Sequence, residues 1–201
     1  MSDRLYFFSR SRDVPPGKGT NETVNSPGDY VELANIPNWR QVLSNFHVAE
    51  FPYKNRTYRT IEHAFQAEKT ALLDPEKALW FSQDSSHAIG QGDGALAQKN
   101  RKLVTLGSSE VSQWDHIKEG VMAAIALCKY RQCPDALRIL KLTISAELWH
   151  CQVRKPAVRF SHLEDIRMDL CHMPRTQLLK SVLARIIYIS GTAFKETVSH
   201  Y

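Results

Sequence analysis

The stretch from Leu43 to Leu73 constrains the chain most, because its second half predicts a helix with three ordered faces. The helix begins after Thr60, and its residues Glu62, Gln66 and Lys69 are separated by four and then three positions. At about 100° per residue these three side chains fall within about 60° of arc and form one polar stripe. A second stripe consists of apolar side chains (Ile61, Phe65, Leu72), and a third consists of small side chains (Ala64, Ala67, Ala71).

This polar stripe has the composition of a pocket wall, since a carboxylate, an amide and an amine are aligned beside an apolar stripe. The alternative is a contact between Glu62 and Lys69 on the helix surface. Their separation is about two helical turns, which is too far for the usual i,i+4 ion pair. The sequence therefore favours the pocket.

The remaining segments predict an α+β fold that is predominantly helical, with a few short strands. Leu5 to Phe8 and Ala146 to Cys151 indicate strands, and Tyr53 to Tyr58 indicates a hairpin. Helix starts are more numerous and carry N-cap signals. Besides the Thr60 helix, they lie at Asp74, Ser112, Pro134 and Ser161, and a last amphipathic segment runs from Thr176 to Ile189.

Several classes of protein are excluded by what the sequence lacks. No apolar run reaches the ~18 residues that span a bilayer, and the N-terminal apolar run is too short for a signal peptide. We therefore expect a cytoplasmic protein that does not bind a membrane. The cysteines Cys128, Cys133, Cys151 and Cys171 have no zinc-ligand spacing, so no metal is expected. Gly-x-Ser-x-Gly and His-Glu-x-x-His are also absent.

Two glycine-containing loops and the net charge leave alternatives open. Lys18 and Gly19 lie in a Gly-Lys-Gly-Thr sequence that only partly matches a phosphate-binding P-loop. This segment is either a flexible loop or a lysine with backbone N–H groups that reach toward a phosphate. Gly90 to Gly94 is either a turn or backbone that approaches a ligand. The net charge of +5 suits a phosphate-bearing partner or an ordinary basic surface.

The opening stretch also carries a family resemblance. Leu43-Ser44-Asn45-Phe46, followed by Glu62-His63-Ala64-Phe65-Gln66-Ala67-Glu68-Lys69, resembles the NADAR (YbiA-like) family. The later order is similar as well: Trp114-Asp115 with Met122, then Lys129-Tyr130, Leu137 to Leu142 and Ala146-Glu147-Leu148. The resemblance covers roughly Leu5 to Leu170 and implies a YbiA-like fold in a catalytic domain of residues 1–170. Residues 171–201 lie outside the family pattern, and we expect them to form a helical extension packed on that domain.

The sequence departs from the family near its end. Many members have Leu-x-Glu followed by an Asp and Trp-Gly, where this chain has Leu148-Trp149-His150 and then Phe160-Ser161-His162-Leu163-Glu164. Contacts carried by that Glu and Trp-Gly cannot be transferred to this chain.

The resemblance implies an N-glycosidase, which cleaves a ribose C1–N bond in a phosphate-bearing substrate without a cofactor. We expect removal of ADP-ribose from the guanine base of ADP-ribosylated DNA, RNA or nucleotide. One alternative is hydrolysis of the ribosylamine phosphate intermediates of the riboflavin pathway. The other is a non-catalytic module that binds ADP-ribose. The oligomeric state does not follow from the sequence.

Residue roles follow from the same resemblance. Glu62 would stabilise charge on the ribose or transfer a proton. Lys69 would attack C1 of the opened sugar to give a Schiff base, although a neighbouring carboxylate favours its ammonium form. Asn45 would hold the ribose hydroxyls, and Phe46 or Trp80 would stack on a base. The other candidates for substrate binding are Lys18, Gly19, Ser44, His63, Gln66, Gly92 and Asp93.

Overall fold

The computed structural model describes residues 2–152 and 154–172. One compact unit ends at Arg167, and a second begins at Met168. The helices in chain order are α1 (Val31–Ala34), α2 (Trp39–Val42), α3 (Ile61–Ala71), α4 (Pro75–Ala78), α5 (Ala88–Gln91), α6 (Gly94–Lys99), α7 (Ser108–Gln132), α8 (Pro134–Leu142) and α9 (Ser161–His172). Single 3-10 turns lie at Pro27–Tyr30, Leu79–Phe81 and Gln83–Ser85. The predicted helix from Thr176 to Ile189 lies outside the described residues.

The strands form a mixed sheet and a separate hairpin. They are β1 (Arg4–Phe7), β2 (Phe51–Tyr53), β3 (Arg56–Tyr58), β4 (Glu147–Gln152) and β5 (Lys155–Arg159). The sheet has the order β1-β4-β5, with β1 parallel and β5 antiparallel to the central strand β4. The hairpin pairs β2 with β3. The predominantly helical α+β fold and the three predicted strand segments are confirmed.

Two elements differ from the sequence predictions. The predicted helix start at Ser112 is wrong, since α7 begins at Ser108. Its first turn contains a single apolar residue, Val111, which is exposed, so no apolar period marks the turn. Strand β5 was not predicted. It is a largely exposed edge strand that contains Pro156, a residue that edge positions tolerate because one side of the strand makes no ladder bonds.

Helix α3 lies at the centre of the region that holds the candidate site. Thr60 caps it, since its hydroxyl accepts a hydrogen bond from the backbone N–H of His63 at 3.2 Å. Ile61 and Ala64 are fully buried, and the Phe65 ring lies 4.8 Å from that of Trp114 on α7. The helix packs against α4, α6 and α7. In the part of the chain that the structure describes, no helix has the length and apolar character needed to cross a membrane.

Candidate active site

The polar stripe of α3 begins with a carboxylate that is removed from water. Glu62 is 7% exposed and Gln66 is 6% exposed, so this face of the helix is not a solvated surface. The Gln66 side-chain amide donates a 2.9 Å hydrogen bond to Glu62 Oε1. Burial raises the pKa of Glu62, while the Gln66 amide and the positive charges of Arg101 and Lys69 partly oppose that increase. Glu62 therefore holds its proton to a higher pH than an ordinary glutamate.

Two residues that contact Glu62 have side-chain amide oxygens without a hydrogen-bond donor. Asn45 Oδ1 and Gln66 Oε1 are both buried, and no donor among the described residues reaches either of them. Both residues contact Glu62. The Gln66 side-chain amide donates to the Glu62 carboxylate, and the backbone carbonyl of Asn45 accepts from the backbone N–H of Glu62 at 3.1 Å. Since buried polar groups are normally paired, these acceptors are suited to hydroxyl or N–H groups of a bound molecule.

The far end of the stripe reaches the surface. Lys69 Nζ donates to the carbonyl of Arg101 at 3.3 Å, in an exposed environment. Arg101 lies just beyond the end of α6, and its positive charge acts on Glu62 together with that of Lys69. The predicted catalytic pair is therefore arranged as a buried acid with an amine at its solvent-facing edge.

The Leu43–Phe46 segment is held in place by a buried lysine. Lys129 on α7 is fully buried, and its ammonium donates to the carbonyls of Val42 at 2.9 Å and Ser44 at 3.4 Å. Burial lowers the pKa of Lys129 to about 7. The Asn45 amide nitrogen contacts the sulfur of Met122, also on α7, at 3.4 Å. Helix α7 thus fixes the loop that carries Asn45.

Phe46 and the start of α6 approach each other closely. A Cβ at Gly94, the first residue of α6, would lie only 2.6 Å from the Cα of Phe46, so only glycine fits there. Asp93 caps the helix, accepting from Leu96 N at 2.8 Å. The guanidinium of Arg59 donates to the carbonyl of Gly92 at 3.1 Å. The segment from Gly90 to Gly94 therefore comprises the end of α5, the junction and the first residue of α6.

Two other predicted binding residues are engaged within the protein. His63 Nδ1 lies 2.8 Å from the Thr60 hydroxyl, and its Nε2 lies 2.9 Å from the carbonyl of Ile89. Because a carbonyl only accepts, Nε2 carries the proton and the neutral ring links α3 to α5. The Trp80 ring stacks on His87, with the ring centroids 4.5 Å apart.

The Lys18 loop folds around a carboxylate of the protein itself. The backbone N–H groups of Gly17 and Gly19 both donate to Glu22 Oε2 at 2.9 Å. Arg40 also binds this carboxylate, in an ion pair of 2.8 Å whose side chains are 4% and 0% exposed. These N–H groups therefore serve Glu22 rather than a phosphate. Lys18 itself is exposed and lines a groove with Pro15, Val24 and Val31.

The structure thus brings together Glu62, Gln66, Lys69, Ser44, Asn45 and Phe46, with Gly92 and Asp93 at the adjoining junction. Arg101 and Lys129 complete the arrangement, and sequence reasoning gave neither of them a role. The position of Lys129 carried a usable signal. It lies four residues after Ile125, so helical spacing places this charged residue on the apolar face of α7. No local signal marks Arg101, because its approach to Glu62 depends on how α6 packs on α3.

The comparisons with known proteins bear on the fold. No family model matches the sequence, and no curated protein matches it. Among solved structures, the NMR structure of YbiA from E. coli is similar, with a TM-score of 0.54 and 20% sequence identity. The match covers 87% of this chain and 92% of YbiA. The chain therefore has a YbiA-like α+β fold.

Proposed function

We propose that this protein is an N-glycosidase that removes ADP-ribose from the guanine base of ADP-ribosylated nucleic acid or nucleotide. The observation that carries the proposal is the buried Glu62 carboxyl, whose contacting residues Asn45 and Gln66 have unpaired side-chain amide oxygens. Ribose hydroxyls are donors that suit these oxygens, and they would place C1 of the sugar near Glu62. The family resemblance and the YbiA-like fold support the same reaction class.

The raised pKa of Glu62 suits it to act as a general acid. As the C1–N bond breaks, its electron pair passes to the base nitrogen, which takes the proton of Glu62. Water then adds to C1 and returns a proton to the carboxylate. The products are free ADP-ribose and the unmodified guanine, and the carboxyl ends the cycle in its starting state.

Lys69 offers a second route from the edge of the stripe. Its neutral amine would form a bond to C1 while the bond to the base breaks, and one amine proton would pass to the leaving base nitrogen. The C1–O bond of the sugar ring would then open, with the second amine proton passing to the ring oxygen, to give an imine. Water would hydrolyse the imine, releasing ADP-ribose and restoring the amine. Borohydride reduces an imine to a stable amine, so mass spectrometry after borohydride treatment during turnover detects an ADP-ribose adduct on Lys69 if this route operates.

The proposal is tested by incubating the purified protein with a substrate panel and measuring the released products. Release of ADP-ribose from an ADP-ribosylated guanosine oligonucleotide is the expected result. Lys69→Ala should slow it by orders of magnitude if the imine route operates, with Lys141→Ala, an exposed lysine on α8, as the matched control. Turnover of ribosylamine phosphates alone would instead assign the riboflavin-pathway reaction. Tight ADP-ribose binding without turnover of any panel member would assign a binding module.

A further inference from the structure

A short basic segment lies at the surface end of the polar stripe. Lys99, Arg101 and Lys102 fall within four consecutive residues, and all three side chains are exposed. None of the ion pairs found among the described residues involves them. A basic residue at a helix C-terminus often serves only to complement the helix dipole, which accounts for Lys99 but not for the two cations beyond the helix end.

The basic segment is continuous with the candidate active site. The carbonyl of Arg101 accepts the hydrogen bond from Lys69 Nζ, and the charge of Arg101 acts on Glu62. Arg101 therefore lies near both predicted catalytic residues, and Lys99 and Lys102 lie within two positions of it in the sequence. We infer that Lys99, Arg101 and Lys102 bind the phosphate backbone of a single-stranded polynucleotide substrate; this inference rests on the proposed function.

Two observations favour a single strand over a mononucleotide or a duplex. The three cations lie together where α6 ends in a turn, since Arg101 N donates to the carbonyl of Gln98 at 3.1 Å and Leu103 N donates to the carbonyl of Asn100 at 2.9 Å. A mononucleotide carries one phosphate group, whereas three adjacent cations can contact several successive phosphates of a strand. In addition, Glu62 is 7% exposed, so a base can reach it only when it is out of a duplex stack.

The test is a binding measurement with unmodified, fluorescently labelled single-stranded DNA and RNA oligonucleotides. The variant Lys99→Gln/Arg101→Gln/Lys102→Gln is compared with Arg138→Gln/Lys141→Gln/Lys155→Gln, which removes three exposed cations from α8 and β5. Both variants lose the same charge from the natural +5. All substituted side chains are exposed, so both variants should fold.

We expect the first variant to bind about 100-fold more weakly at 0.1 M salt, because each phosphate contact contributes about 0.7 to the slope of log K against log salt. Its slope should be smaller than that of the wild type by about 2, since three contacts are lost. The control should keep most of the wild-type affinity and slope. A preference for DNA or RNA in the wild type identifies which polynucleotide the segment binds.

Equal losses in the two variants would assign binding to net charge and overturn the inference, as would unchanged affinity in the first variant. A comparable loss of affinity for free ADP-ribose would assign these cations to the diphosphate instead. Binding of an unmodified oligonucleotide involves no turnover. A failed hydrolysis assay would therefore refute the proposed function, while the binding measurement would still test whether the basic segment contacts a polynucleotide.

Discussion

Replacing the buried Lys129 should change how the stability of the protein depends on pH. Burial lowers the pKa of this lysine from its ordinary 10.5 to about 7. Between these two values the folded protein binds fewer protons than the unfolded chain, so stability rises with pH across that window and is constant below it. Lys129→Met keeps an unbranched side chain of similar length and removes the titrating group.

The expected effect follows from the linkage relation. With a folded-state pKa of about 7, the free energy of unfolding of the wild type should rise by roughly 1.6 kcal/mol between pH 7 and pH 8.5, relative to Lys129→Met. Burial raises the pKa of Cys128 and Cys133 above 9.0, so both thiols keep their protons in the folded protein across this range. Their titration in the unfolded chain is common to both proteins. Burial, together with the charge of Lys129, lowers the pKa of His47 to about 4, so this histidine is neutral in the folded protein throughout the range. Contributions from the histidines therefore cancel in the comparison.

The measurement is urea denaturation of both proteins at several pH values in this range. Lys141→Met on α8 is the control, since its side chain is exposed and should leave the pH slope unchanged. Lys129→Met also leaves the carbonyls of Val42 and Ser44 without their donor, which costs about 1–3 kcal/mol for each group at every pH. Parallel pH profiles for the wild type and Lys129→Met would refute the assignment of a lowered pKa to this lysine.

Two further predictions concern packing around the site. Arg40→Met leaves the Glu22 carboxylate buried without its ion-pair partner, and it should lower the free energy of unfolding by about 3–5 kcal/mol in urea; a loss below about 1 kcal/mol would show that the pair is solvated. Gly94→Ala forces a Cβ against the Phe46 backbone and should cost about 1–3 kcal/mol. The control is Gly120→Ala in α7, where an added Cβ meets no atom within 4 Å and should stabilise the protein by about 0.5–1 kcal/mol. The measurement is the melting temperature of both variants, and equal shifts would contradict the close packing at Gly94.

Elements whose signals are local could be predicted from the sequence. Helix α3 begins directly after Thr60, as its cap and apolar period indicated, and the hairpin lies at the predicted aromatic segment. The polar stripe was also recognisable, because helical spacing alone aligns Glu62 with Gln66. The burial of Glu62 and Gln66 confirms that this part of the stripe is not a solvated face.

Features that depend on distant segments could not be predicted in this way. Lys129 reaches carbonyls more than 80 positions away in the sequence, and Arg101 affects Glu62 only through the packing of α6 on α3. The Lys18 loop was ambiguous for the same reason. Its N–H groups are paired by Glu22, whose place beside Arg40 is set by the tertiary structure.

The most direct test of the proposed role of Glu62 is the rate at which ADP-ribose is released from an ADP-ribosylated guanosine oligonucleotide. We expect wild-type protein to release it, with a rate that falls as the pH rises through the raised pKa of Glu62. Glu62→Gln should be at least about 100-fold slower at an unchanged melting temperature. Full activity of Glu62→Gln, or no release by the wild type, would contradict the proposal.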